Sequence, residues 1–275
     1  MTPRSGVSSS GEHPRRPIVS GNWKMNHDHM AALHLVRDLG LRLGAKSLGK
    51  LEVSIHPPFS DLRTVQLLVE GDSLPIALGA QHCNPEDSGA FTGEVSPPML
   101  SRLGVSYVIV GHSERRLGFG MSDEVVATTL RGVVRHQMVP ILCVGETAEE
   151  RQAGRTEPRL AFQLESAVAK MDPERLANLV VAYEPVWAIG AGRPASTVDA
   201  SDAATFLRKV MTSLLGSEVA DSVRIQYGGS VNAENAQDFV AEPDIDGLLV
   251  GGASLQAEGF ADIVESVAAC YGSSS

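Results

Sequence analysis

Eight short runs dense in valine, isoleucine and leucine recur along this chain, and no other feature narrows its fold as far. They are PIVSGNW (17–23), LEVSIH (51–56), PIALGAQ (75–81), VSYVIVGH (105–112), VPILCVGE (139–146), NLVVAYE (178–184), VRIQYGG (223–229) and DGLLVGG (246–252). Between most of them lie stretches with apolar spacing near 3.6, such as 30–43, 123–137 and 200–215, which read as amphipathic helices. Runs that are apolar along their whole length suit strands buried on both faces of a parallel sheet, and the helices supply the crossovers that parallel pairing requires. Eight such units predict an α/β chain closed into a single (β/α)8 barrel rather than a doubly wound sheet. No G-x-G-x-x-G opens a helix after the first run, so a dinucleotide-binding domain has no support. No Pro/Ser-rich linker interrupts the pattern, and one catalytic domain is expected over 17–271. Residues 1–16, rich in serine, glycine, proline and arginine, lack the apolar core of a signal peptide and read as a disordered extension, matched by a disordered tail at 272–275.

The formal net charge of −10 argues against binding nucleic acid through a basic face, and no apolar run is long enough to span a membrane. The three cysteines, Cys83, Cys143 and Cys270, are odd in number and lack metal-ligand spacing, which suits a reducing, cytoplasmic compartment. Cys143 reads as a buried structural thiol.

In a barrel of this kind the loops after the strands converge at their carboxyl ends, and functional groups collect there. Asn22 and Lys24 follow the first run, His112 and Glu114 the fourth, Glu184 ends the sixth, Gly229 and Ser230 follow the seventh, and Gly251 and Gly252 the eighth. Singly, each has a plain reading: a surface lysine, a histidine capping a helix that starts near Ser113, a strand-end glutamate meeting water, and tight glycine turns. Together they place an acid, a neutral-range base, a cation and two glycine loops on one rim. Glycine loops after the last two strands can hold a phosphate with backbone N–H groups. P-loop spacing and an acidic metal cluster are absent, so the phosphate is a handle and not the reacting group. A carboxylate, a histidine, Asn22 and Lys24, with no serine or cysteine paired to a base, suit proton abstraction beside a carbonyl with donors facing the enediolate oxygens.

The motifs GNWKMN, GAFTGEVS, GHSERR, CVGET, AYEPVWAIG, YGGSVN and VGGASL, in that order over roughly 17–270, resemble the triosephosphate isomerase family. The resemblance implies interconversion of dihydroxyacetone phosphate and glyceraldehyde 3-phosphate without cofactor or metal. It implies that Glu184 is the base, that His112 polarises the substrate oxygens, that Lys24 and Asn22 supply charge and a hydrogen bond, and that Glu114 stands behind the lysine. It gives the phosphate to Gly190, Ser230, Gly251 and Gly252. Pro185, Val186 and Trp187 become the front hinge of a lid whose small tip runs from Ala188 through Ile189, Gly190 and Ala191 to Gly192. The third loop, GAFTGEVS, implies a homodimer with Thr92 near the neighbouring active site.

Three departures from the family pattern stand out: Gln81-His82-Cys83, Phe119-Gly120-Met121, and Arg193-Pro194 where the lid ends. The first two are expected at the subunit interface. His82 with Cys83, and His27 with His29, lack further metal ligands and read as surface or interface packing. Pro194, which fixes φ and removes an N–H, is expected to favour lid closure and slow reopening. Two other functions remain open: isomerisation of a four-carbon ketose such as erythrulose phosphate by the same residues, and a non-catalytic phosphometabolite sensor.

Overall fold

The computed structural model describes residues 15–189 and 195–271. Eight parallel strands close into a barrel in sequence order: β1 (Ile18–Asn22), β2 (Glu52–His56), β3 (Ala77–Ala80), β4 (Tyr107–Val110), β5 (Val139–Val144), β6 (Val180–Tyr183), β7 (Arg224–Tyr227) and β8 (Gly247–Val250), with β8 pairing back to β1. Each strand is one to four residues shorter than the apolar run that announces it. The helices expected from periodicity are His29–Arg42, Asp123–Arg135 and Thr197–Leu215. The last opens on a capping box in which Ser196 and Asp199 satisfy each other's backbone N–H.

Alternation along the strands sends one set of side chains into the barrel and the other against the helices. Ile18, Tyr107, Ile109, Ile141, Cys143, Val180, Ala182 and Leu249 pack together inside. Val19, Val53, Ile55, Val108, Val110, Val181 and Ile225 join the larger core under the helices. The strands are therefore buried on both faces, but not apolar on both, as the sequence suggests. Ser20, Ser54, His56 and Gln226 form a buried polar group within the barrel. The Ser20 and Ser54 hydroxyls lie 2.8 Å apart, Ser54 Oγ is 3.1 Å from His56 Nε2, and Gln226 Nε2 donates to Ser20 Oγ at 2.8 Å.

At the amino ends of the strands, buried Asp246 is bracketed by Arg15 at 2.6 Å and Arg208 at 3.1 Å. Arg16 donates to the carbonyls of Leu48 and Leu51. Both arginines fall in the stretch that composition assigns to an extension, yet they are tied to the base of the barrel. Residues 1–14 and 272–275 lie outside the described residues, as do Gly190, Ala191, Gly192, Arg193 and Pro194, on which the lid tip and the proline effect rest. Among the described residues no helix is long and apolar enough to cross a membrane.

Candidate active site

Glu184 is aimed by strand geometry. Val180 and Ala182 face the interior of the barrel, so the residue two further on emerges at its mouth on the same side. The carboxylate is 2 % exposed. Its Oε2 accepts the backbone N–H of Ser113 at 2.8 Å, and its Oε1 lies 2.9 Å from His112 Nε2, off the line of an aligned hydrogen bond. Glycines make room for it. A Cβ on Gly145 would stand 1.7 Å from the Glu184 carbonyl oxygen, and one on Gly228 would stand 3.0 Å from Glu184 Cγ.

His112 is both a helix cap and a site residue. Its Nδ1 accepts the N–H of Glu114 at 3.2 Å, opening the helix Ser113–Gly118. That bond occupies the Nδ1 lone pair, so the proton of the neutral ring sits on Nε2, facing Glu184 and the pocket. Strict alternation from Tyr107 and Ile109 would turn His112 away, but Gly111 at φ +73 shifts the phase. Burial pushes the pKa of Glu184 up, and the His112 ring and Ser113 outweigh it, leaving the carboxyl below its ordinary range. Burial pushes His112 down while Glu184 and Glu114 carry it above its ordinary value.

On the opposite wall Lys24 extends to Glu114, Nζ to Oε1 2.6 Å. Its backbone is in the left-handed region at φ +53, a conformation that costs a side-chain-bearing residue about 1–2 kcal/mol. Two bonds hold it there: its N–H donates to Asn22 Oδ1 at 3.0 Å, and its carbonyl accepts Gln81 Nε2 at 2.7 Å. With Oδ1 engaged, the Asn22 amide offers its N–H2 to the pocket. The backbone N–H groups of Gly229, Ser230 and Gly252 are left without an intramolecular acceptor among the described residues. The pocket of about 360 Å³ is lined by Asn22, Lys24, His112, Glu184, Ile189 and Leu249 together with the loops 228–231 and 251–253. Gly251 lies beside Lys24, where an added Cβ would meet Cε at 3.3 Å. Of the described residues predicted for catalysis and phosphate binding, Asn22, Lys24, His112, Glu184, Ser230, Gly251 and Gly252 thus line one cavity, while Glu114 stands behind Lys24 and lines the neighbouring recess.

The lid's front hinge is a 3-10 turn, Val186–Ala188, following Pro185. Trp187 donates its indole N–H to buried Glu146 at 2.8 Å, and the Arg151 guanidinium lies 4.1 Å above its ring. Glu146 also accepts from the Tyr183 hydroxyl. Ala188 is buried in the core and is not part of an exposed tip. Sequence reasoning missed Ser113, Gln81, Gly228 and Glu146, although the motifs GHSERR and CVGET contain two of them.

Within the single subunit Cys83 is fully buried, His82 is 6 % exposed and Met121 packs in the core, whereas Phe119 is exposed and lines, with Gln81 and His82, a recess beside the active site. His27 instead packs its ring edge-on against Trp23 at 5.3 Å. No group of three potential metal ligands occurs among the described residues. Thr92 is exposed on the third loop.

Comparison with known proteins agrees with this geometry. A family model described as triosephosphate isomerase matches residues 17–267. The chain is 47% identical over 249 residues to the triosephosphate isomerase of Mycobacterium tuberculosis, covering 90% of this chain and 95% of that one. It is 48% identical over 246 residues to that of Saccharopolyspora erythraea, covering 90% and 94%. The crystal structure of triosephosphate isomerase from Bartonella henselae superposes with a TM-score of 0.80 at 34% identity, covering 91% of this chain and 98% of that chain. With barrel, pocket and sequence in agreement along nine-tenths of its length, this chain belongs to the triosephosphate isomerase family.

Proposed function

We propose that this pocket interconverts dihydroxyacetone phosphate and D-glyceraldehyde 3-phosphate, with Glu184 as base, His112 and Asn22 as donors to the substrate oxygens, Lys24 as the cation, and Gly229, Ser230, Gly251 and Gly252 around the phosphate. The observation that carries the reading is the pairing of Glu184 with the Nε2 side of a helix-capping histidine, across a small pocket from Lys24 and open N–H groups. Phosphate fixes the substrate at one end. Glu184 takes a proton from the carbon beside the carbonyl, and His112 Nε2–H, Asn22 and Lys24 meet the charge that develops on oxygen. Returning the proton to the neighbouring carbon completes the isomerisation. Atoms and electrons balance within the substrate, so the chemistry calls for no redox partner.

The resting contacts also tune the base. To reach substrate, Glu184 must leave the Ser113 N–H and the His112 ring, the groups that hold its pKa down, while staying out of water. Desolvation then dominates and the carboxylate becomes more basic at the point of use. Purified protein in a coupled assay is expected to turn over the three-carbon substrates faster than erythrulose 4-phosphate. A preference for the four-carbon compound would transfer the reading to it, and phosphoglycolate binding with no turnover of either would establish a sensor.

The unit that does this is a homodimer. Beside the active site lies an apolar recess of about 300 Å³ lined by Met25, Phe59 and Phe119, with Lys24, His112 and Glu114 on its wall. Met25 is 95% exposed, a large apolar side chain with nothing over it in the single subunit. The exposed loop carrying Thr92 is the segment of a second copy that we assign to this recess. Sedimentation equilibrium should give about twice the 29.1 kDa chain mass, and Thr92→Arg should yield monomers of low activity. A wild-type monomer at micromolar concentration would overturn the dimer.

A further inference from the structure

His56 belongs to none of the roles assigned so far. It is fully buried, within the barrel, at the carboxyl end of β2. Its ring fills space that a side chain on β3 would otherwise occupy: a Cβ on Gly79 would stand 2.2 Å from both Cε1 and Nδ1. Nδ1 lies 3.2 Å from the carbonyl oxygen of Ala80, which can only accept, so Nδ1 carries the proton and Nε2 is left to accept from the Ser54 hydroxyl at 3.1 Å.

The position of this bond gives it its meaning. Backbone pairing of β2 with β3 stops at Ile55↔Leu78, so beyond that point side chains join the two strand ends, the imidazole among them. Ala80 is followed by Gln81, whose Nε2 donates to the His56 carbonyl at 2.9 Å and to the Lys24 carbonyl at 2.7 Å. The His56 carbonyl also accepts the N–H of Trp23 at 3.2 Å, and His56 pairs in register with Asn22. A closed circuit results: ring of His56, carbonyl of Ala80, side chain of Gln81, carbonyl of His56. Lys24, in its left-handed conformation, hangs from that circuit.

We propose that His56 is a positioning residue for the isomerisation, its ring fixing the end of β3 so that Gln81 holds the Asn22–Lys24 segment in the geometry that meets substrate. Beneath it, Ser54, Ser20 and Gln226 brace the ring from the far side of the barrel. The proposal rests on the reading of Lys24 as a substrate-binding cation, and Lys24→Met run alongside tests that reading separately: an unaltered KM there would remove the site assignment whatever His56 does.

Two substitutions split the ring's functions. Asparagine places an amide nitrogen near the position of Nδ1 and keeps the donor to Ala80, whereas glutamine reaches the position of Nε2 and keeps only the contact with Ser54. Kinetics are compared per folded molecule, with folding followed by circular dichroism. His56→Asn is expected within about threefold of wild type, and His56→Gln is expected to raise KM and lower kcat/KM by about tenfold or more, as a displaced catalytic group does. A merely structural histidine would lower stability in both variants and leave KM alone. Should His56→Gln fail to fold, half-buried Gln81→Leu interrupts the same circuit and is expected to show the same rise in KM. Equal kinetics for the asparagine and glutamine variants, or a wild-type KM in Gln81→Leu, would overturn the proposal.

Discussion

Glu184→Asp is expected to lower kcat by about 10²- to 10³-fold while leaving KM and phosphoglycolate affinity within a few-fold of wild type. Shortening the side chain by one methylene withdraws the carboxylate by about 1.5 Å without changing its charge or its chemistry. Proton transfer from carbon tolerates little misplacement, whereas the N–H groups of the loops after β7 and β8, proposed for the phosphate, are not altered by this change. The loss therefore falls on the chemical step, and a thousandfold is about 4 kcal/mol of transition-state stabilisation. A coupled assay with inhibitor titration measures both quantities. A kcat within a few-fold of wild type would remove Glu184 as the base.

The second large effect is on stability in mild acid. Burial holds the His56 pKa down to about 4, against 6.5 for a free histidine, with the Ala80 carbonyl opposing only in part. The unfolded chain takes up this proton as pH falls through 6.5, and the folded chain does not until about 4. Stability is then complete above the unfolded value, declines across the window from 6.5 to 4, and levels off below it. From about pH 7.5 to about pH 5 the cost from this one group is about 2 kcal/mol, roughly thirtyfold in the folding constant. His82, lowered to about 4 by burial and by Arg115, acts in the same direction. His112, raised by its carboxylate neighbours, acts in the opposite one, gaining stability as it protonates. Denaturant titrations across this range should show the decline, and His56→Asn should make it shallower by about 2 kcal/mol, leaving the part due to His82. A wild-type stability that is level from pH 7.5 to pH 5 would contradict the buried neutral state of His56.

The barrel was legible in the chain because strands buried on both faces leave a continuous apolar run, and β4, β5, β6 and β8 show it plainly. The site was legible because glycines, a histidine and acids fall at the ends of those runs in a recognisable order. What could not be read is of a different physical kind. The left-handed backbone of Lys24 is imposed by Asn22 and Gln81, 57 residues away in the case of Gln81, and carries no local signature such as a glycine. The serines of β1 and β2 look like incidental polar residues in apolar runs until closure of the sheet brings them to Gln226. The burial of His82, Cys83 and Met121 within the subunit was likewise not legible, because the side a residue faces beyond a strand's end is not fixed by alternation.

The glycines around Glu184 bear on how this enzyme could change. At Gly145 the backbone of Glu184 occupies the space of a methyl group, and at Gly228 its side chain is at the limit of close contact. Neither residue offers a functional group to the reaction, yet even alanine at Gly145 collides with the segment that carries the carboxylate. Variation that alters the loops around the pocket is open to the lineage in small steps. Variation that displaces the backbone of Glu184 is not, so new substrates are reached by reshaping what surrounds a fixed point of attachment.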